Sequence, residues 1–224
     1  MRIDAPIAEG AFLKRLNRFL ALVEVENEEV LAHVHDPGRL KDLLIPGARV
    51  YLRRGRGKYR YYLYAVEAED GVILVDSALH SRIAEWLVKK GLIFQGYRVV
   101  RREVPLGKSR IDFLLQRGKT LALLEVKGCS LLKGTYAMFP DAPTVRGRRH
   151  LLELAKALEE GYEAYILFIV VRPGAKAFKP NWDVDPKFSQ TFREILKRGV
   201  KALAYKVCIK NWTIEPLGLI PIIH

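Results

Sequence analysis

The chain is poor in cysteine, poor in side-chain amides and without a long apolar run. Cys129 and Cys208 are the only cysteines in 224 residues and lack metal-ligand spacing. They read as reduced, ordinary residues of an intracellular protein, which argues against a disulfide framework. The longest uninterrupted apolar run, Ala164 to Val171, is eight residues, against the ~20 that a membrane span needs. Met1-Arg2-Ile3-Asp4-Ala5-Pro6 opens no apolar h-region of a secretory signal. The expectation is a soluble, cytoplasmic protein with no membrane partner. Asn and Gln are scarce, a habit of composition seen in thermophilic proteins. What is abundant is apolar surface, half of all residues, enough to exclude a disordered tail and to fill a sizeable core. The length suits one large domain or two small ones.

Charge is also lopsided. The net charge of +13 lies entirely beyond residue 80, because acids and bases balance in residues 1–80. Even that neutral part carries a basic run, with Arg49, Arg53, Arg54, Arg56, Lys58 and Arg60 and no acid until Glu67. A field of this sign favours a polyanion, of which nucleic acid is the abundant one. The plainer reading is a solvated surface.

Residues 19–75 break into about five short strands separated by turns, at 19–25, 30–35, 49–53, 59–67 and 71–75. This spacing predicts a small closed or nearly closed β-barrel. In Tyr59-Arg60-Tyr61-Tyr62-Leu63-Tyr64 the residues alternate between two faces. One face can enter the core while the other offers rings and cations, with Tyr61 taken as a base-stacking candidate; the alternative is that these tyrosines only pack. From Ser77 the texture changes to a helix ending at Lys89-Lys90-Gly91, then strands at 97–104, 110–115 and 120–127. A helix N-capped by Thr144 follows, then a buried strand at 165–171, a helix near 186–198 and a strand near 201–209. The order α-β-β-β-α-β with an added α-β predicts a mixed sheet flanked by helices. The expected domains are 1–76 and 77–224, in an α/β (α+β) chain.

The chemistry concentrates in Arg110-Ile111-Asp112-Phe113 and Leu124-Glu125-Val126-Lys127. A hairpin turning between Gly118 and Lys119 sets Asp112 opposite Glu125, and the period of two puts Lys127 on the same face. Two adjacent buried carboxylates raise each other's pKa, a cost that a divalent cation removes. Mg²⁺ (or Mn²⁺) is hard, prefers oxygen and needs only one or two protein carboxylates besides water and phosphate. The Val126 carbonyl adds a third oxygen. Lys127 can orient water or neutralise charge on a phosphoryl group. The plain alternative is an ion pair closing the sheet end. Arg110, Arg146, Arg148 and Arg149 extend a cationic surface for phosphate, and Asp141, His150, Glu103 and Glu85 are secondary candidates. Cys129 reads as a packing thiol.

The D…E-x-K hairpin resembles that of the PD-(D/E)XK nuclease superfamily. More closely, the chain resembles the sugar fermentation stimulation protein A family. The matching segments are His35-Asp36-Pro37-Gly38-Arg39-Leu40 with Pro46-Gly47, Ser109-Arg110-Ile111-Asp112-Phe113 and Glu125-Val126-Lys127. Phe139-Pro140-Asp141-Ala142-Pro143-Thr144-Val145-Arg146-Gly147, His150-Leu151 and the stretch from Gly199-Val200 to Ala204-Tyr205 complete them. The resemblance implies an N-terminal OB-like barrel joined to a PD-(D/E)XK-like domain, with metal ligands at Asp112 and Glu125 and the motif lysine at Lys127. It also implies DNA binding without strong sequence preference and a proposed regulatory role in sugar, notably maltose, metabolism. Ile111 stands where the motif usually has Pro, and Asp36-Pro37-Gly38 where Asn-Thr-Gly is expected.

Three functions compete on these residues. The first is a DNA-binding protein with a Mg²⁺-dependent, nuclease-type phosphodiesterase site. The second is a DNA-binding regulator that keeps the fold without hydrolysis. The third is a metabolic enzyme on a small phosphorylated substrate, which leaves the wide basic surface without a purpose. Strandedness of the DNA and the oligomeric state are open at this point.

Overall fold

The computed structural model describes residues 1–55 and 57–223. Its first six strands are β1 (Ala8–Asn17), β2 (Leu20–Val25), β3 (Glu28–Val34), β4 (Arg49–Arg54), β5 (Tyr61–Ala68) and β6 (Gly71–Leu74). They lie in the order β3-β2-β1-β4-β5-β6, and a parallel pairing of β3 with β5 closes the first five into a barrel. The β2–β3 hairpin turns on Glu26 and Asn27, both at positive φ, the conformation whose twist matches the flanking strands. Along β2, Ala21, Val23 and Val25 point inward and alternate with outward residues. The strand that the sequence pattern did not announce is β1. Only Phe12 of its ten residues is buried, so no period-two signal marks it.

The rest of the chain runs α1 (Ser77–Lys89), β7 (Arg98–Leu106), β8 (Ser109–Arg117), β9 (Thr120–Cys129), β10 (Leu131–Lys133), β11 (Tyr136–Phe139), α2 (Val145–Ala157), β12 (Glu163–Val170), β13 (Ala177–Pro180), α3 (Pro186–Lys197), β14 (Lys201–Lys210) and β15 (Thr213–Ile220). A mixed sheet has the order β15-β14-β12-β9-β8-β7, with β9, β12 and β14 parallel. A small second sheet, β10-β11-β13, lies at its margin. The α-β-β-β-α-β order and the added αβ unit are those expected, with β15 as an unforeseen edge strand whose Pro216 and Gly218 hide its pattern. Helix α2 starts as expected: the Thr144 hydroxyl accepts the Gly147 N–H at 3.0 Å.

Two apolar cores sandwich the sheet. On one side Val23 and Leu63 of the barrel and Leu74 of β6 join Ile83 and Leu87 of α1 and Leu124 and Leu167 of the sheet in one continuous cluster. On the other, Ile166 and Phe168 pack with Leu151, Leu154, Phe188 and Phe192 of α2 and α3. Both faces of β12 are thus covered, which explains its unbroken apolar run.

Polar ties reinforce the shared core. Buried Arg172 binds Asp42 at 2.6 Å, Asp70 at 2.9 Å and the Ser130 carbonyl at 3.1 Å. Asp141 accepts the Leu40 N–H at 3.0 Å. A Cβ on Gly38 would stand 2.4 Å from the Asp141 carboxylate, so glycine is required for this approach. No helix among the described residues is long and apolar enough to cross a membrane.

Candidate active site

The β8–β9 hairpin turns on Gly118 (φ +58) and Lys119, glycine standing at the position of a two-residue turn that demands positive φ. The pairs Arg117↔Thr120 through Phe113↔Leu124 follow, so Asp112 and Glu125 come next in register on neighbouring strands. There the two strands part. Val126, whose partner in a continuing ladder would be Ile111, instead donates its N–H to Asp112 Oδ2 at 2.7 Å. A strand residue points its N–H and C=O to the same edge, so the Val126 carbonyl faces the same gap. The first half of β8 stays with β7, and the parting of the strands opens the cleft.

Around that gap Ser81 of α1 donates to Asp112 Oδ1 at 3.2 Å. Lys127 Nζ and His150 Nδ1 both meet Glu125 Oε1. Arg146 Nε donates to His150 Nε2 at 3.3 Å, which leaves the ring proton on Nδ1, directed at Glu125. Glu125 is 2% exposed and Lys127 15%, and Glu125 Oε2 is buried without a hydrogen-bond partner among the described residues. Burial, then the neighbouring Glu125 charge, pushes Asp112 up to about 6. Burial also acts to raise Glu125, but the Lys127 ammonium and the His150 bond outweigh it and hold that carboxyl below its ordinary value.

These groups line a cleft of about 350 Å³ whose opposite wall comes from the barrel, through Arg18, Asp36, Pro37 and Gly38. Arg110, Glu103, Asp141, Arg146 and His150 also line it. Burial pushes Asp36 up to about 6 against the opposing Gly38 N–H bond. His80 is buried beneath the cleft, and a Cβ on Gly128 would collide with its ring at 2.0 Å. Cys129 donates its thiol to the Met138 carbonyl and burial pushes its pKa up, as suits a packing residue.

Several expected residues lie elsewhere. Glu85 is buried on α1 between Arg102 and Lys89 and does not line the cleft, because its helix turn faces β7 rather than the β8–β9 gap. Tyr61 belongs to the apolar core at 7% exposure, with Arg60 over its ring, so it presents no face for a base. Arg53 is tied to Asp4 at 2.6 Å and lies over the Tyr64 ring. Arg54 and Lys58 are exposed but outside the cleft, and Arg56 lies outside the described residues. Arg148 and Arg149 lie in the first turns of α2 and do not line the cleft, the latter bonded to Ser109 at 3.2 Å. Glu103 pairs with Arg110 at the rim. Asp141 holds the loop after β3 rather than facing the two acids.

Sequence reasoning missed Ser81, His80 and a ladder of rings on the barrel surface. Phe19, His33, His35 and Tyr62 succeed one another at centroid separations of 6.4, 4.7 and 4.6 Å, with Phe19 51% exposed. The alternation of His33 and His35 along one face was the available signal.

A divalent cation fits this donor set. Asp112, Glu125 and Val126 line one cleft, one carboxylate oxygen is buried without a hydrogen-bond partner among the described residues, and the neighbouring Glu125 charge acts against ionisation of Asp112. No group of three His, Cys, Asp or Glu among the described residues can hold a metal. The set therefore matches a hard cation that keeps water, not an all-protein cage.

Comparison with known proteins covers both halves of the chain. The model of the SfsA N-terminal OB domain matches residues 13–75, and that of the sugar fermentation stimulation protein RE domain matches residues 78–213. The sugar fermentation stimulation protein homolog of Pyrobaculum arsenaticum is 48% identical over 224 residues, covering 98% of this chain and 96% of its own. That of Caldivirga maquilingensis is 46% identical, covering 99% and 97%. The solved structure of Pyrococcus furiosus SfsA in complex with Ca²⁺ superposes with a TM-score of 0.92 at 33% identity over the full length of both chains. With its OB-like barrel and its sheet carrying the parted D…E-x-K hairpin, the chain belongs to the sugar fermentation stimulation protein family.

Proposed function

We propose that this protein binds DNA with low sequence specificity and hydrolyses phosphodiester bonds at Asp112, Glu125 and Lys127 with Mg²⁺ or Mn²⁺, as a deoxyribonuclease of the PD-(D/E)XK type. The observation that carries the reading is the buried Glu125 Oε2, unpartnered among the described residues, beside Asp112 in a cleft rimmed by Arg18, Arg110 and Arg146. The Ca²⁺ complex of the Pyrococcus furiosus relative supports a divalent cation here. Asp112, Glu125 and the Val126 carbonyl would hold the ion, which supplies charge neutralisation at a phosphoryl oxygen. Lys127 orients the attacking water and offsets charge on the substrate. His150, itself held by Arg146, keeps Glu125 ionised and in place. The ring ladder of Phe19, His33, His35 and Tyr62 takes the stacking role first sought at Tyr61. Residues 1–76 thus serve chiefly to bind and 77–224 to cut.

The non-hydrolytic reading draws on the Lys127–Glu125 ion pair, which neutralises one carboxylate without metal. One assay separates the two: single-stranded DNA, duplex DNA and RNA incubated with Mg²⁺, Mn²⁺ or EDTA. Metal-dependent cleavage lost in Asp112→Ala and Lys127→Ala is the expected result. Salt-sensitive binding with no cleavage under either metal would sink the hydrolytic half, leaving a DNA-binding regulator of the kind proposed for sugar metabolism.

A further inference from the structure

Beside the carboxylate cleft lies a second hollow, of about 830 Å³, with a different chemical character. It has Phe12, Leu13 and Leu44 of the barrel in its lining together with Pro37, Pro46 and Pro143. Among the described residues its charged lining consists of Lys14, Arg15, Arg18, Arg39 and Lys41, with no carboxylate.

The fold assembles this cluster through one of its members. The Arg15 guanidinium donates to the carbonyls of Asn17, Arg18, Asp36, Gly38 and Arg39, stitching the end of β1 to the loop after β3. Arg18 donates Nε to the Pro37 carbonyl at 3.0 Å. Arg15 is thereby committed to the backbone. Lys14, Arg39 and Lys41 are exposed and form no ion pair among the described residues. Asp36 and Asp141 act on Arg15, but the cations that line the hollow outnumber the acids beside it and repel one another, and a polyanion relieves that repulsion.

We propose that this hollow is a second nucleic-acid subsite, which holds the backbone of a single-stranded segment continuing out of the carboxylate cleft. The inference rests on the DNA-binding reading and adds a path to it. Continuity is built in, because Arg18, Pro37, Gly38, Ala142 and Pro143 line both hollows. The apolar and proline-rich lining selects the single strand. A duplex turns its bases inward and meets a protein surface mainly with phosphate, whereas an unpaired strand can lay bases on an apolar floor while its phosphates meet the cations. The described residues of the Arg49–Arg60 run line neither hollow, so the track differs from the one the sequence pattern favoured.

The test uses the full chain, EDTA to prevent cleavage, and fluorescence anisotropy with a labelled twelve-nucleotide oligothymidylate over a range of salt. The triple variant Lys14→Gln, Arg39→Gln, Lys41→Gln removes three exposed charges and keeps the Arg15 ties, and a thermal melt confirms its fold. Each single-strand phosphate contact contributes about 0.7 to the slope of log K against log salt, so the triple variant should lose about 2 from that slope. It should also lose at least about tenfold in affinity at low salt, and the gain in affinity from a four- to a twelve-nucleotide strand should shrink. Arg54→Gln with Lys58→Gln should change the slope by less. A triple variant with wild-type slope and length dependence, while the wild type binds, overturns the subsite and leaves the DNA-binding reading intact. A wild type that binds a twelve-base-pair duplex but not the oligothymidylate at low salt overturns the subsite alone, and one that binds neither overturns both.

Discussion

Replacing Asp112 by Asn should make the metal-free protein more stable. The carboxyl sits in the fold with its pKa raised from 3.8 to about 6, chiefly by burial and then by Glu125. A raised carboxylate pKa means that the folded state binds the proton more tightly than the unfolded chain does. The stability contributed by this group is therefore fully present below pH ~4 and is lost as pH rises through about 6. The loss amounts to about 3 kcal/mol at pH 8, at about 1.4 kcal/mol for each tenfold difference in proton affinity. Asn is neutral, keeps an oxygen to accept the Val126 N–H, and removes the repulsion from Glu125. Urea unfolding in EDTA should show Asp112→Asn about 3 kcal/mol more stable than wild type at pH 8 and nearly equal at pH 4. Wild type should recover part of the gap when Mg²⁺ is added at pH 8, since a ligand that binds only the folded state stabilises it by mass action. Asp36, also raised to about 6 by burial, adds a loss of the same sign in both proteins, so the variant retains part of the pH slope. An Asp112→Asn protein equal to or weaker than wild type at pH 8 would refute this reasoning.

Three other substitutions probe separate parts of the structure. Arg172→Met leaves Asp42 and Asp70 without their shared cation and should cost about 3–5 kcal/mol in urea unfolding; adding Asp42→Asn and Asp70→Asn should restore much of it. His150→Phe removes the imidazole N–H that steadies Glu125 and should weaken Mn²⁺ binding by about 10–100-fold in calorimetry, the effect usual for a group that orients a ligand. Gly128→Ala forces a methyl into the His80 ring and should lower stability by about 1–3 kcal/mol, read from the shift in the urea midpoint.

The pattern of period two was enough to place Asp112 against Glu125 and Lys127 beside it, because a two-residue turn leaves one register to the hairpin. Thr144 and the unbroken apolar run of β12 were legible for equally local reasons. What escaped depends on contacts between distant parts of the chain. Asp141 binds the backbone of Leu40 about a hundred residues away, and Arg172 gathers Asp42 and Asp70 from the barrel. Such pairs leave no spacing to read. Tyr61 turned out to be buried and its neighbour Tyr62 to carry the ring contacts, because alternation tells that two faces exist and not which one is inside. Strand β1 hid for another reason: it lies at the surface for most of its length and carries little of the apolar signal by which strands announce themselves.

The continuous apolar cluster that runs from the barrel through α1 into the sheet has a mechanical consequence. Swinging the two halves apart would break this one cluster, which holds Leu63 and Leu74 together with Ile83 and Leu124, at about 1.5–3 kcal/mol for each large side chain brought into water. The jaws on either side of the acids therefore have a set gape. On the DNA-binding proposal, a polymer would have to conform to that gape, and selection would fall on how readily it frays, bends or offers a loose end.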